Sequence, residues 1–153
     1  MKKINILIFI MLIFAFILTG CSGSKASGVT EGVKVNKEDL KIGFVHYSDP
    51  SDQGYTYTHD SSTWKMAAAL GIDKSQIINK YNVPDTAEAA TAFRELAEDG
   101  CQIIFSTSHG HEDYLLEVAF EYPNVVFCHF SGVKAASSGL SNVHNYFGDI
   151  AQK

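Results

Sequence analysis

An α/β fold, a three-layer open parallel sheet, is what this 153-residue sequence predicts. Three observations carry that reading. Short apolar, β-branched runs recur at Ile42–His46, Gln76–Tyr81, Gln102–Phe105 and Val125–Phe130. Between them lie segments with helical apolar spacing, the clearest being Ala87–Asp99. Gly and Pro mark the boundaries, as at Pro84, Gly100 and Pro123. Strands alternating with helices of this length imply a parallel sheet covered by helices on both faces.

The first unit is the most informative. Ile42-Gly43-Phe44-Val45-His46 is a buried strand by its apolar run, and a polar, aromatic loop follows from Ser48 to Asp60. Ser61 and Ser62 are candidate caps for a helix over Thr63–Leu70. Gln76–Tyr81 is the second strand, and Pro84 disfavours helix just before it. Asp85 or Thr86 caps the second helix, whose stripe is Ala89, Ala90, Phe93, Leu96 and Ala97. Gly100 ends it. The third strand, Gln102–Phe105, leads into Ser106-Thr107-Ser108-His109-Gly110 and a helix over Glu112–Tyr122. Val125–Phe130 is the fourth strand. A small-residue loop, Ala135–Ser141, precedes a fifth strand over Asn142–Phe147, and Gly148–Lys153 reads as the first turn of a helix.

Open α/β sheets place ligands outside the carboxyl ends of their strands. The loops after strands one, three, four and five, from Ser48 to Asp60, Ser106 to Asp113, Ser131 to Lys134 and at Phe147-Gly148, should therefore surround one crevice. Their hydroxyls, rings and few carboxylates suit a polar small molecule with a flat face, such as a nucleoside or sugar.

The amino terminus has its own logic. Met1-Lys2-Lys3, an apolar run from Ile4 to Leu18 and then Thr19-Gly20 read as a secretory signal, the run being short for a spanning helix. Leu18-Thr19-Gly20-Cys21 resembles a bacterial lipobox, in which the cysteine is acylated after cleavage before it. This predicts a signal peptide over 1–20, lipid on Cys21, a flexible tether over 21–39 and a folded domain over 40–153. The expected place is the extracytoplasmic face of the cell membrane. Loss of Lys2 and Lys3 with the signal lowers the formal charge from −5 to −7. An acidic chain without a basic run offers no footprint for nucleic acid. Of the three cysteines, Cys101 and Cys128 lie in apolar strands and read as buried free thiols, a disulfide outside the cytosol being the alternative.

Other chemistries are weaker. His109-Gly-His111-Glu112-Asp113 clusters ligand-type side chains, but without the spacing of a zinc motif, so a metal-binding module is a minor alternative. No nucleophile elbow, phosphate loop or dinucleotide fingerprint occurs, so no enzyme and no cofactor are expected.

From Leu40 onward the chain resembles the amino-terminal lobe of the basic-membrane-protein, PnrA-like family of ABC-transporter substrate-binding lipoproteins. The resemblance rests on four stretches. They are Gly54-Tyr-Thr-Tyr-Thr-His59-Asp60, Gly100-Cys-Gln-Ile-Ile-Phe-Ser-Thr-Ser108, Ala119-Phe-Glu-Tyr-Pro-Asn-Val-Val-Phe127 and Asn142-Val-His-Asn-Tyr-Phe-Gly148. It implies an incomplete type I periplasmic-binding-protein lobe and a purine nucleoside or nucleobase held non-covalently between two lobes. An ABC permease would be its partner. It also implies ligand-binding roles for Asp49, Tyr55, Tyr57, His59 and Asp60 from the first loop, with His59 in the stacking place, and for Ser106, Thr107 and Ser108. The chain ends inside the first lobe of that pattern, as a fragment would. The competing reading is a surface lipoprotein with a structural or adhesive role and no transported ligand.

Overall fold

The computed structural model describes residues 34–146. The expected signal segment, Cys21 and most of the expected tether lie outside these residues, as do Phe147 and the expected turn Gly148–Lys153. Five short strands, β1 (Ile42–Val45), β2 (Ile77–Lys80), β3 (Ile103–Ser106), β4 (Val126–Phe130) and β5 (Val143–Tyr146), form one sheet in the order β2-β1-β3-β4-β5. All neighbours are parallel, with Ile42 opposite both Ile77 and Ile103, Ile103 opposite Val126, and Phe127 opposite Val143. Four helices connect them: α1 (Tyr55–Leu70), α2 (Ala87–Glu98), α3 (Glu112–Glu121) and the short α4 (Ala135–Ser138).

The strands' period of two divides the core into two layers. Ile42 and Phe44 of β1, with Ile103 and Phe105 of β3, pack with Trp64, Met66 and Ala67 of α1. Val45 and Ile104 face the other way, onto Phe93 and Leu96 of α2 and Leu115, Val118 and Ala119 of α3. Every residue of β1 is buried, as a central strand under helices on both faces requires. Gly43 lets α2 come close: a β-carbon there would meet Leu96 Cδ1 at 2.8 Å. Cys101 and Cys128 are free thiols, and burial raises the pKa of both to about 11.

Three boundaries differ from the sequence expectation. The first loop ends at Gly54, not Asp60, because α1 begins two turns earlier, at Tyr55. Its start is held by Asp52, whose carboxylate accepts from the backbone N–H groups of Gly54 (2.9 Å), Thr56 (2.8 Å) and Tyr57 (3.0 Å). Ser61 and Ser62 are therefore interior residues, not caps. The hydroxyls of Thr58, Ser62 and Thr63 donate back to the carbonyls of Gly54, Thr58 and His59, which lets a polar stretch remain helical. The folded part begins before Leu40, since Lys37–Asp39, expected to lie in a flexible tether, is a 3₁₀ turn and Gln76 Nε2 donates to the Lys37 carbonyl at 2.7 Å. The loop expected over 135–141 contains α4.

The Asp52 cap makes a pH prediction. The N–H of Gly54, first among its donors, holds the Asp52 carboxyl at about 2, below the ordinary 3.8. A carboxyl lowered on folding stabilises fully above its unfolded value, and that contribution is lost as pH falls through the folded one. Urea midpoints of the parent should therefore drop between about pH 4 and pH 2. Asp52→Asn should be less stable at neutral pH and flatter across that window; parallel curves would refute the cap.

Candidate ligand-binding site

A pocket of about 410 Å³ opens at the carboxyl edge of the sheet, within the size range of small-molecule sites. It sits where the strand order turns from β2-β1 to β3-β4, the switch point at which open α/β sheets bind ligands. Tyr47 and Tyr55 come from the segment after β1, and Ser108 and His109 from the loop after β3. Phe130 and Ser131 end β4, and Asp85 follows β2. A second pocket of similar volume lies beside β2 and α2, away from the loops after β1, β3 and β4.

One wall is aromatic. Tyr55, 48% exposed, meets Phe130 edge-on at 6.0 Å, and its hydroxyl donates to the Thr107 carbonyl. His59 does not line the pocket. It packs edge-on against Tyr55 at 4.6 Å and Phe130 at 4.7 Å, and so braces both rings from behind. Burial, with the nearby His46, lowers the His59 pKa.

The opposite side is polar and rests on a buried chain. His111 is wholly buried, and burial lowers its pKa, so its ring is neutral near pH 7. Its Nε2 faces two acceptors, the Val83 carbonyl at 3.0 Å and Asp85 Oδ1 at 3.3 Å, so Nε2 carries the proton. Nδ1 then accepts from Ser106 Oγ at 3.1 Å. Ser108 Oγ donates to Asp85 Oδ1 at 2.7 Å. Ser106, His111 and Asp85 thus copy the order of a hydrolytic triad. Ser106, however, is 0% exposed, so a substrate carbonyl has no approach to its hydroxyl. The chain positions Asp85.

The remaining expected residues fall into two groups. Thr107 is buried, with its hydroxyl 3.3 Å from both the Val45 carbonyl and His46 Nδ1. Asp60 faces inward and accepts from Trp64 Nε1 at 3.1 Å and from the Tyr81 hydroxyl. Asp49 accepts from Ser51 N at 2.8 Å and caps the 3₁₀ turn Pro50–Asp52; hydrogen bonds from Ser51 lower its pKa. Tyr57 is 52% exposed and lies outside the pocket wall. Of the eight residues named from sequence, Tyr55 and Ser108 line the pocket.

Sequence reasoning passed over Tyr47, Asp85 and Phe130. From sequence Asp85 reads as a helix cap, yet Thr86 fills that role and leaves the Asp85 carboxylate to the pocket. His109 and His111 diverge: His111 points into the core, while His109 Nδ1 lies 3.2 Å from the Ser131 carbonyl at the pocket wall. Among the described residues, no group of three His, Cys, Asp or Glu side chains converges as a metal site. Ser131 holds a left-handed backbone (φ 57°), rare for a residue with a side chain and often found at functional loops.

Comparison with known proteins bears on this arrangement. The chain is 37% identical over 117 residues to a purine-binding protein of Brucella abortus (strain 2308), covering 76% of this chain and 33% of that protein. It is 25% identical over 123 residues to a Haloferax volcanii protein named for glucose binding by an ABC transporter, covering 80% of this chain and 28% of that one. The chain thus spans about a third of the length of these relatives. In fold it is similar to an ABC transporter solute-binding protein from Conexibacter woesei, with a TM-score of 0.60 at 17% identity, over 71% of this chain and 35% of the other. A transcriptional activator of the comK gene from Bacillus halodurans shares the fold at a TM-score of 0.52. The family described as ABC transporter substrate-binding protein PnrA-like matches residues 39–153. This chain belongs to that PnrA-like family of ABC transporter substrate-binding proteins.

Proposed function

We propose that the chain forms one wall of a lipid-anchored, extracytoplasmic solute-binding component of an ABC importer. Its ligand is a purine nucleoside or nucleobase, held non-covalently between this lobe and a second one, and delivered to a permease. The observation that carries the reading is the pocket at the β1/β3 switch point, where Tyr55 and Phe130 adjoin the hydrogen-bonding groups of Asp85, Ser108 and His109. Flat apolar faces beside fixed polar groups suit a purine, whose ring stacks while its edges are read. The family membership and the Brucella relative support the same ligand class. Cys21, at the end of the lipobox-like stretch, supplies the anchor.

One lobe offers part of the contacts of a closed cleft, so binding by this chain alone should be weak, roughly millimolar. Titrating adenosine, guanosine and glucose into the ¹⁵N-labelled chain should shift amide signals around the pocket with the purines only. A glucose response without a purine response would replace the ligand class. For the anchor, radiolabelled palmitate should be incorporated in bacterial cells expressing the chain, and Cys21→Ala should abolish the label. Label retained in Cys21→Ala would overturn the lipid assignment.

A further inference from the structure

Among the described residues, Asp85 is the one carboxylate on the pocket wall, and its two oxygens are not equivalent. Oδ1 is occupied by Ser108 Oγ and His111 Nε2. Oδ2 accepts no hydrogen bond from any described residue, and the side chain is 40% exposed. The carboxylate is fixed from behind, because the His111 ring is held at both nitrogens by Ser106 and Val83. Gly110 lets the backbone pass close beside the carboxylate and helps to fix it, since a β-carbon there would collide with Asp85 Oδ2.

We propose that Asp85 sets ligand choice, accepting from the N–H edge of an oxopurine such as guanine. The proposal rests on the purine reading above and deepens it. An ionised carboxylate only accepts hydrogen bonds. Guanine presents N1–H and a 2-amino group side by side, whereas adenine presents an acceptor at N1. A fixed carboxylate with a free oxygen therefore favours the first edge and repels the second. Charged acceptors also make the stronger class of hydrogen bond, which makes the discrimination large. The rings of Tyr55 and Phe130 lie on the same pocket, so a flat base and a reader of its edge meet in one place. A ribose diol also offers two adjacent donors, and the test separates the two sources.

The test titrates 9-methylguanine, 9-methyladenine and methyl riboside into the ¹⁵N-labelled full chain and its Asp85→Asn variant. The parent should prefer 9-methylguanine. Asp85→Asn is nearly isosteric and should keep the dispersed parent spectrum, weaken 9-methylguanine about tenfold and leave 9-methyladenine unchanged or tighter. A merely structural role for Asp85 would weaken both bases alike, and that result would overturn the proposal. So would an unchanged guanine affinity. A methyl riboside response that vanishes in Asp85→Asn would give the carboxylate to the sugar and overturn the base-edge assignment. No response of the parent to either base would overturn the purine reading itself, and this proposal with it.

Discussion

Phe93→Ala should destabilise the domain by about 3–5 kcal/mol, the cost of emptying a large, fully buried aromatic site. Phe93 is 0% exposed and sits where the second core layer meets the ligand-site scaffold. Its ring meets Phe127 edge-on at 6.4 Å and His111 at 5.9 Å. The substitution removes a ring from between α2, β4 and the buried histidine that fixes Asp85, so stability and pocket geometry should suffer together. Small domains are stable by only about 5–15 kcal/mol, so a loss of this size should be obvious in urea unfolding followed by circular dichroism. A loss below about 1 kcal/mol would mean that the core does not close around this ring.

Asn142→Ala should cost about 3 kcal/mol by a different route, the stranding of buried acceptors. Asn142 is 8% exposed, and its Nδ2 lies 3.0, 3.1 and 2.9 Å from the carbonyls of Ala119, Tyr122 and Val125. Two N–H groups thus serve three carbonyls at the end of α3 and the approach to β4. This one amide ties the carboxyl end of a helix, which has no internal partners for its last carbonyls, to the start of β5. Asn142→Asp should be worse, because it sets a carboxylate oxygen against those carbonyls. Urea midpoints rank the variants, and amide exchange at the end of α3 should quicken in both. If Asn142→Asp equals the parent, the amide is not the tie.

The sheet and its two core layers were legible because the apolar runs are short, separate and bounded by Gly or Pro. Val45, Ile104 and Phe127 are each fully buried, and each lies in a strand named from sequence. The start of α1 was not legible. Tyr55–Ser62 carries no apolar stripe, and its helix depends on Asp52, which looks like one more loop aspartate until its three backbone donors are seen. The site was half legible for a related reason. The general rule pointed to the edge of the sheet where the pocket opens, and Tyr55 and Ser108 stand on the pocket wall. Sequence cannot separate an inward Ser106 from an outward Ser108 two residues later, because that depends on where His111 points. Asp85 was missed because the residue after a proline and before a helix has a sufficient local explanation as a cap. Only its contacts with Ser108 and His111 show that it belongs to the pocket.

The central claim is that the β1/β3 edge holds a purine, and the most direct measurement is a map of amide shifts on titrating guanosine into the ¹⁵N-labelled chain. The predicted result is a saturating, fast-exchange response centred on Tyr55, Ser108 and Ser131, with little change on the outer faces of α2 and α3. A flat titration, or shifts centred on the groove beside β2 and α2, would contradict it.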